Sequence, residues 1–270
     1  MSEPPPANQP EPSPPKTTLR GRAALFQRHR WLPFVLPLVV YMLAGSLEPT
    51  PETEGGAALG LSIPYAQYPL VYTLKIALTA AAVIFVLPGY RAFPKGVTLL
   101  AILIGIVGVV LWVWLCQLKI EEEYLLPALR AVLPEWLLPA GTRSAFDPLE
   151  QLADQPAWAW GFLAIRFFGL IVVVPIIEEF FYRGFLMRFV VQPDWWNVPP
   201  GKVNAAAVVL ATLVPMAMHP GELLAAAVWF SMITWLYVKT RSIWDCVAAH
   251  AVTNLLLGIY VVRSGQWHLM

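Results

Sequence analysis

Val97–Leu118 runs for 22 residues without a charged side chain. A helix of that length at 1.5 Å per residue is about 33 Å long, enough to cross the hydrocarbon core of a bilayer. Six more apolar runs accompany it: Trp31–Leu47, Pro69–Pro88, Trp158–Val191, Val203–His219, Leu223–Val238 and Ile243–Val262. Charged residues make up 13% of the chain, about half the share in a soluble protein. The solvent of this chain is therefore largely lipid. The expected fold is all-α: a polytopic membrane helix bundle of about seven transmembrane helices, with no internal repeat. An eighth crossing would have to lie within Lys119–Ala157. There the apolar stretch carries Arg130 and Glu135 and is broken by Pro127, Pro134 and Pro139. Prolines inside a helix remove hydrogen bonds and clash, so this long loop reads as an interfacial segment.

Charge sets the expected orientation. Lys16, Arg20, Arg22, Arg28 and Arg30 precede the first run, whereas the loop Glu48–Gln67 holds three glutamates and no Lys or Arg. Arg91 and Lys95 follow the second run. By the positive-inside rule the N-terminus is cytoplasmic. The chain reads as integral to a membrane, the inner membrane if it is bacterial. Residues 1–18 hold seven prolines and no large apolar residue after Met1, so residues 1–30 read as a disordered proline-rich tail with a basic flank. Residues 31–270 read as one transmembrane helical domain. The first run resembles a signal peptide in its basic flank, but Ala-Gly-Ser-Leu-Glu is a poor cleavage site, so it is read as a retained span. A net charge of +1 argues against a nucleic-acid partner. Cys116 and Cys246 support neither a disulfide framework nor a zinc cluster. The expected partners are the lipid bilayer and a peptide or protein substrate.

The fourth run carries Glu178–Arg183, EEFFYR. Ionisable groups inside a membrane segment are costly and mark function by default. Adjacent helical residues point about 100° apart, so Glu178 and Glu179 cannot share a task. Glu179 and Arg183 have the spacing of a helical ion pair, which would hold Glu179 ionised and inert. Glu178 lacks a local basic partner and suits a general base. Pro175 frees a backbone carbonyl nearby and can bend the helix. The run is too long for one straight crossing; with Arg166 marking its outer limit and Arg188 its inner one, Glu178 lies roughly 15 Å deep.

Three further polar groups stand in apolar surroundings: His219 at the end of the fifth run, Glu222 after the Pro-Gly turn, and His250 with Asn254 on one face of the seventh. Ser242 and Asp245 form an S-x-x-D capping box before that run. Counted from the inner ends, His219 and His250 lie about 24 and 10 Å deep. His219 is the misfit unless the fifth span begins after Val203 or tilts. Each group has a plain reading as well: His–Asn as interhelical glue, Glu–Arg as structure, His219 as a charge on a helix dipole, and Glu222 either orienting His219 or sitting in water. Their placement on three spans favours a shared site. A carboxylate with imidazoles can activate water, and His250 and Asn254 can steady an oxyanion, the chemistry of peptide hydrolysis. No Ser or Cys has a His partner that suggests a covalent route, and H-E-x-x-H is absent. A divalent metal such as zinc is permitted by Glu178, His219 and His250 and not required. The alternative class is an inactive membrane scaffold or a proton-coupled transporter; the lack of a repeat weighs against a transporter.

E-E-x-x-x-R at Glu178–Arg183, a His closing an apolar helix at His219, and H-x-x-x-N at His250–Asn254 resemble the CPBP family of CAAX proteases and bacteriocin-processing enzymes, which includes the type II CAAX prenyl endopeptidases. The resemblance covers about residues 160–262. It implies an intramembrane endopeptidase, of metallo- or glutamate type, in which Glu178 and His219 activate water and His250 and Asn254 stabilise the oxyanion. Glu179 and Arg183 would support them. The family's middle motif is usually F-x-x-x-H, and here Pro215 stands in the first place. The family's best-known substrates are prenylated C-terminal CAAX peptides; that specificity is not carried over to a bacterial chain. More loosely, Tyr-Pro-Leu-Val-Tyr at Tyr68–Tyr72 and the His-Pro-Gly-Glu turn are similar to the exosortase-associated bacterial subgroup.

Overall fold

The computed structural model describes residues 21–132, 145–219 and 221–270. The proline-rich stretch 1–18 lies outside them, as do Pro134, Glu135 and Pro139. The helices are α1 (Arg22–Arg28), α2 (Leu32–Gly45), α3 (Tyr68–Val86), α4 (Leu99–Gln117), α5 (Leu126–Val132), α6 (Pro148–Gln151), α7 (Pro156–Val191), α8 (Ala205–Ala217), α9 (Leu223–Thr240) and α10 (Ile243–Ser264). The basic flank before the first span is therefore helical over Arg22–Arg28. Five helical stretches, those of α3, α4, α7, α9 and α10, are long and apolar enough to cross a membrane. The other two of the seven expected runs form the apolar helices α2 and α8, which at 14 and 13 residues are shorter than a straight crossing needs. The fold is an all-α membrane bundle. Among the described residues the only extended pairing is one bridge between Gly55 and Ile63.

The long loop after α4 is more helical than its prolines suggest. Glu121–Leu125 makes a π-type turn that leads directly into α5, whose second residue is Pro127. No eighth crossing is formed by the residues described there. Glu121 accepts hydrogen bonds from the backbone N–H groups of Leu223 and Leu224, so this segment caps the N-terminus of α9.

The helix α7 packs against α2, α3 and α10. It is one continuous helical path of 36 residues. Two π-type stretches, Gly169–Val173 and Phe180–Leu186, interrupt its α-helical spacing. Its rotational phase is keyed by Phe180, fully buried and stacked on Tyr90 at 3.8 Å, with Trp244 edge-on at 5.3 Å. Such pairs add about 0.5–1.5 kcal/mol each beyond area burial.

The two arginines expected to mark the wet limits of α7 are both buried. Arg166 donates to the carbonyls of Phe146 and Met270, each at 2.8 Å. Arg188 donates to Val198 at 2.8 Å, Gly184 at 3.1 Å and Trp196 at 3.2 Å. They fasten loops to the two ends of the helix instead of reaching water. The capping box forms by half: Ser242 Oγ accepts from the Asp245 N–H at 3.2 Å. The Asp245 carboxylate does not return to Ser242. It accepts from the Thr98 N–H at 2.7 Å, joining the starts of α4 and α10.

Candidate active site

Glu178, His219, His250 and Asn254 all line one cavity of about 420 Å³ within the bundle. That volume lies in the range of ligand pockets, about 300–1,000 Å³. α7 supplies Glu178, the turn after α8 supplies His219, and α10 supplies His250 and Asn254. His219 reaches the cavity from the C-terminal end of α8. The helix begins at Ala205, capped by Asn204, instead of at Val203. It then tightens, with Met218 N–H bonded to Pro215 and His219 N–H to Met216.

The two adjacent glutamates part as the helical geometry requires. Glu178 is buried and faces the cavity. Glu179 lies behind the cavity wall with its Oε2 3.1 Å from Arg183 Nη1, neither side chain having any exposure. The expected pair is therefore present, but Glu179 is not inert. Its Oε1 accepts from His250 Nδ1 at 3.0 Å. A carboxylate can only accept, so the imidazole carries a proton on Nδ1. The ring's Nε2 then offers a lone pair when neutral and a donor when protonated. Arg183 is steadied in turn by Thr234 Oγ1 and the Phe230 carbonyl, at 3.4 and 3.5 Å. Tyr237 donates its hydroxyl proton to the Arg183 carbonyl at 3.1 Å.

His219 is fixed by the position where the family motif is altered. Its Nδ1 donates to the Pro215 carbonyl at 2.8 Å. This bond uses the backbone and so does not depend on the side chain at 215. Aromatic contact comes from elsewhere: Phe230 and Trp112 flank the imidazole at 5.4 and 5.7 Å. Glu222 is buried, and its N–H bonds the His219 carbonyl at 3.1 Å, closing the turn.

Asn254 answers the proline in α7. In the π-type stretch Val174 N–H bonds Gly169 O, a step of five. The next donor in that register would be residue 175, a proline without an N–H. Its would-be acceptor is the Leu170 carbonyl, and Asn254 Nδ2 donates to that oxygen at 2.8 Å. The carbonyl expected near Pro175 is thus identified, and so is what satisfies it.

Tyr41 and Trp229, which carry no sequence signal of their own, also line the cavity, together with Tyr72, Arg166 and Lys75, the last a charge within the second run expected to snorkel or to line the bundle. Lys75 pairs with Glu48 at 2.7 Å and sits over the rings of Tyr41 and Tyr72 at 4.4 and 4.5 Å. Its charge inside a span signals a functional or paired group, but the loop partner cannot be read from spacing. Trp229 carries no sequence signal that separates it from packing.

A metal held by Glu178, His219 and His250 can be tested on this arrangement. Anchoring of both Nδ1 atoms by an acceptor is a pattern found behind metal ligands. Yet among the described residues no three His, Cys, Asp or Glu side chains converge as a metal-holding group. The set as placed does not form a metal centre, and a metalloprotease assignment has no support in it.

The fold and cavity define a polytopic membrane protein with a buried acid–imidazole site. Residues 159–256 match the family model described as type II CAAX prenyl endopeptidase Rce1-like, so this stretch is similar to the CAAX-type membrane proteases of the CPBP family. No curated protein and no solved structure matches the chain.

Proposed function

We propose that this protein is an endopeptidase that hydrolyses a peptide bond of a membrane-associated protein by Glu/His activation of water. The observation that carries the reading is the gathering of Glu178, His219, His250 and Asn254 around one cavity from three parts of the chain. The domain is taken to run from residue 31, with the site within 160–262 and the N-terminus cytoplasmic.

In this mechanism a water sits between the Glu178 carboxylate and His219. His219 Nδ1 is committed to Pro215, which leaves Nε2 as the acceptor. Glu178 takes a proton as the water oxygen attacks the scissile carbonyl. The new oxyanion is met by Nε2–H of His250 in its doubly protonated form and by the second N–H of Asn254, whose first is spent on Leu170. Collapse breaks the C–N bond, and Glu178 returns the proton to the leaving amine. The Glu179–Arg183 pair contributes by holding His250 at Nδ1. No step requires a metal.

The test compares membranes containing the wild-type protein with membranes containing Glu178→Gln, by mass spectrometry of protein termini. A positioned general base is worth about 10²–10⁴-fold, so termini generated by the wild type should vanish with E178Q while the folded amount is unchanged. Equal termini in both membranes would overturn the mechanism and favour a scaffold.

A further inference from the structure

We propose that Trp229 and Thr253 form a positioning pair that fixes the plane of the His250 ring, and that Gly108 of α4 is what admits it. The proposal rests on the protease reading for its rate effect, but its geometry stands apart. A hydrogen bond at one ring atom leaves the imidazole free to swing about that bond. Glu179 holds Nδ1 alone. The second restraint is the indole of Trp229, which meets the His250 ring edge-on with centroids 4.6 Å apart.

Trp229 is itself pinned. Its Nε1–H donates to Thr253 Oγ1 at 3.1 Å, and both side chains are buried. The Thr253 hydroxyl passes its own proton to the Gly105 carbonyl at 2.9 Å or the Ala249 carbonyl at 3.0 Å. Thr253 lies three residues after His250 on α10, so the indole is tied to α10 near the ring it braces. A Cβ at Gly108 would stand 2.8 Å from Trp229 Nε1 and 3.0 Å from Thr253 Oγ1. One at Gly105 would stand 2.7 Å from the Ala249 carbonyl. The two glycines let α4 approach closely enough for three helices to share one hydroxyl. α4 thereby governs a ring on α10.

The chain has four histidines, so histidine-selective ¹⁵N labelling of the full chain in detergent yields four imidazoles, with His250→Gln assigning the one of interest. Thr253→Val keeps shape and removes the hydroxyl; Trp229→Phe keeps a ring and removes the donor. Both should broaden or split the His250 signals while those of His29, His219 and His268 stay put, and Thr253→Ser should restore them. Release of the E178-dependent termini should slow about tenfold in T253V and in W229F, within what a misplaced group costs. The T253V/W229F double variant should be no slower than either single variant, because both remove one bond. Unmoved His250 signals in T253V and W229F, a T253S variant as impaired as T253V, or multiplying losses in the double variant would overturn the proposal. If T253V fails to fold, W229F carries the same reading. If no termini depend on Glu178, the protease reading falls, and the ring signals still decide this one.

Discussion

Glu179–Arg183 and Glu48–Lys75 are both carboxylate–cation pairs in an apolar bundle, and they are built in opposite ways. The first lies one helical turn apart on α7, has no exposure, and sits behind the cavity wall with His250 attached. The second joins a loop residue to the middle of a span, lines the cavity, and leaves the Glu48 side chain 21% exposed. The wall pair is a fixed support: Glu179 is also held by His250, and Arg183 by Thr234 and the Phe230 carbonyl. The cavity pair is reached by water and shares its cation with two tyrosine faces. Burial without solvent makes a pair rigid and costly to break. Partial access makes its loss tolerable.

Breaking the wall pair should have the larger effect. Arg183→Met leaves Glu179 with only His250 opposite, and should cost about 3–5 kcal/mol, read as a large drop in thermal stability in detergent. The double variant E179Q/R183M should regain much of that loss, since no charge is then stranded. Arg166→Met forfeits two charge-assisted bonds to carbonyls and should cost about 2–4 kcal/mol, seen as a lower melting temperature with the segment at Met270 opened to proteolysis. Lys75→Met is the mildest, at about 1–2 kcal/mol, between the surface and buried cases. E48Q/K75M should come close to wild type in the same melt. Equal losses for R183M and K75M would erase the distinction between wall and cavity.

What could be read in advance was local. The ion pair of Glu179 with Arg183 follows from a separation of four, and the divergence of Glu178 from Glu179 follows from 100° per residue. The freed carbonyl near Pro175 was legible as a fact of proline chemistry, though not which oxygen it was. The π-type register, five instead of four, moves it to Leu170, and register is set by packing. Arg166 and Arg188 read as interface markers because Lys and Arg usually seek water; both instead satisfy loop carbonyls inside the bundle. Counting residues from Val203 set His219 apart in depth, and only the packing of α8 in the bundle brings the ring to the shared cavity.

The order of apolar runs by itself determined that this chain is a bundle of helices in lipid, because backbone groups in hydrocarbon must be satisfied within each segment. It also determined which few ionisable groups the lipid would have to tolerate. Only the tertiary structure decided that Glu178 faces a cavity while His250 is claimed by Glu179, and that Asn254 repairs the break made by Pro175. Those pairings join residues 71 and 84 apart along the chain. Helical periodicity governs neighbours within a turn and is silent about which helix faces which.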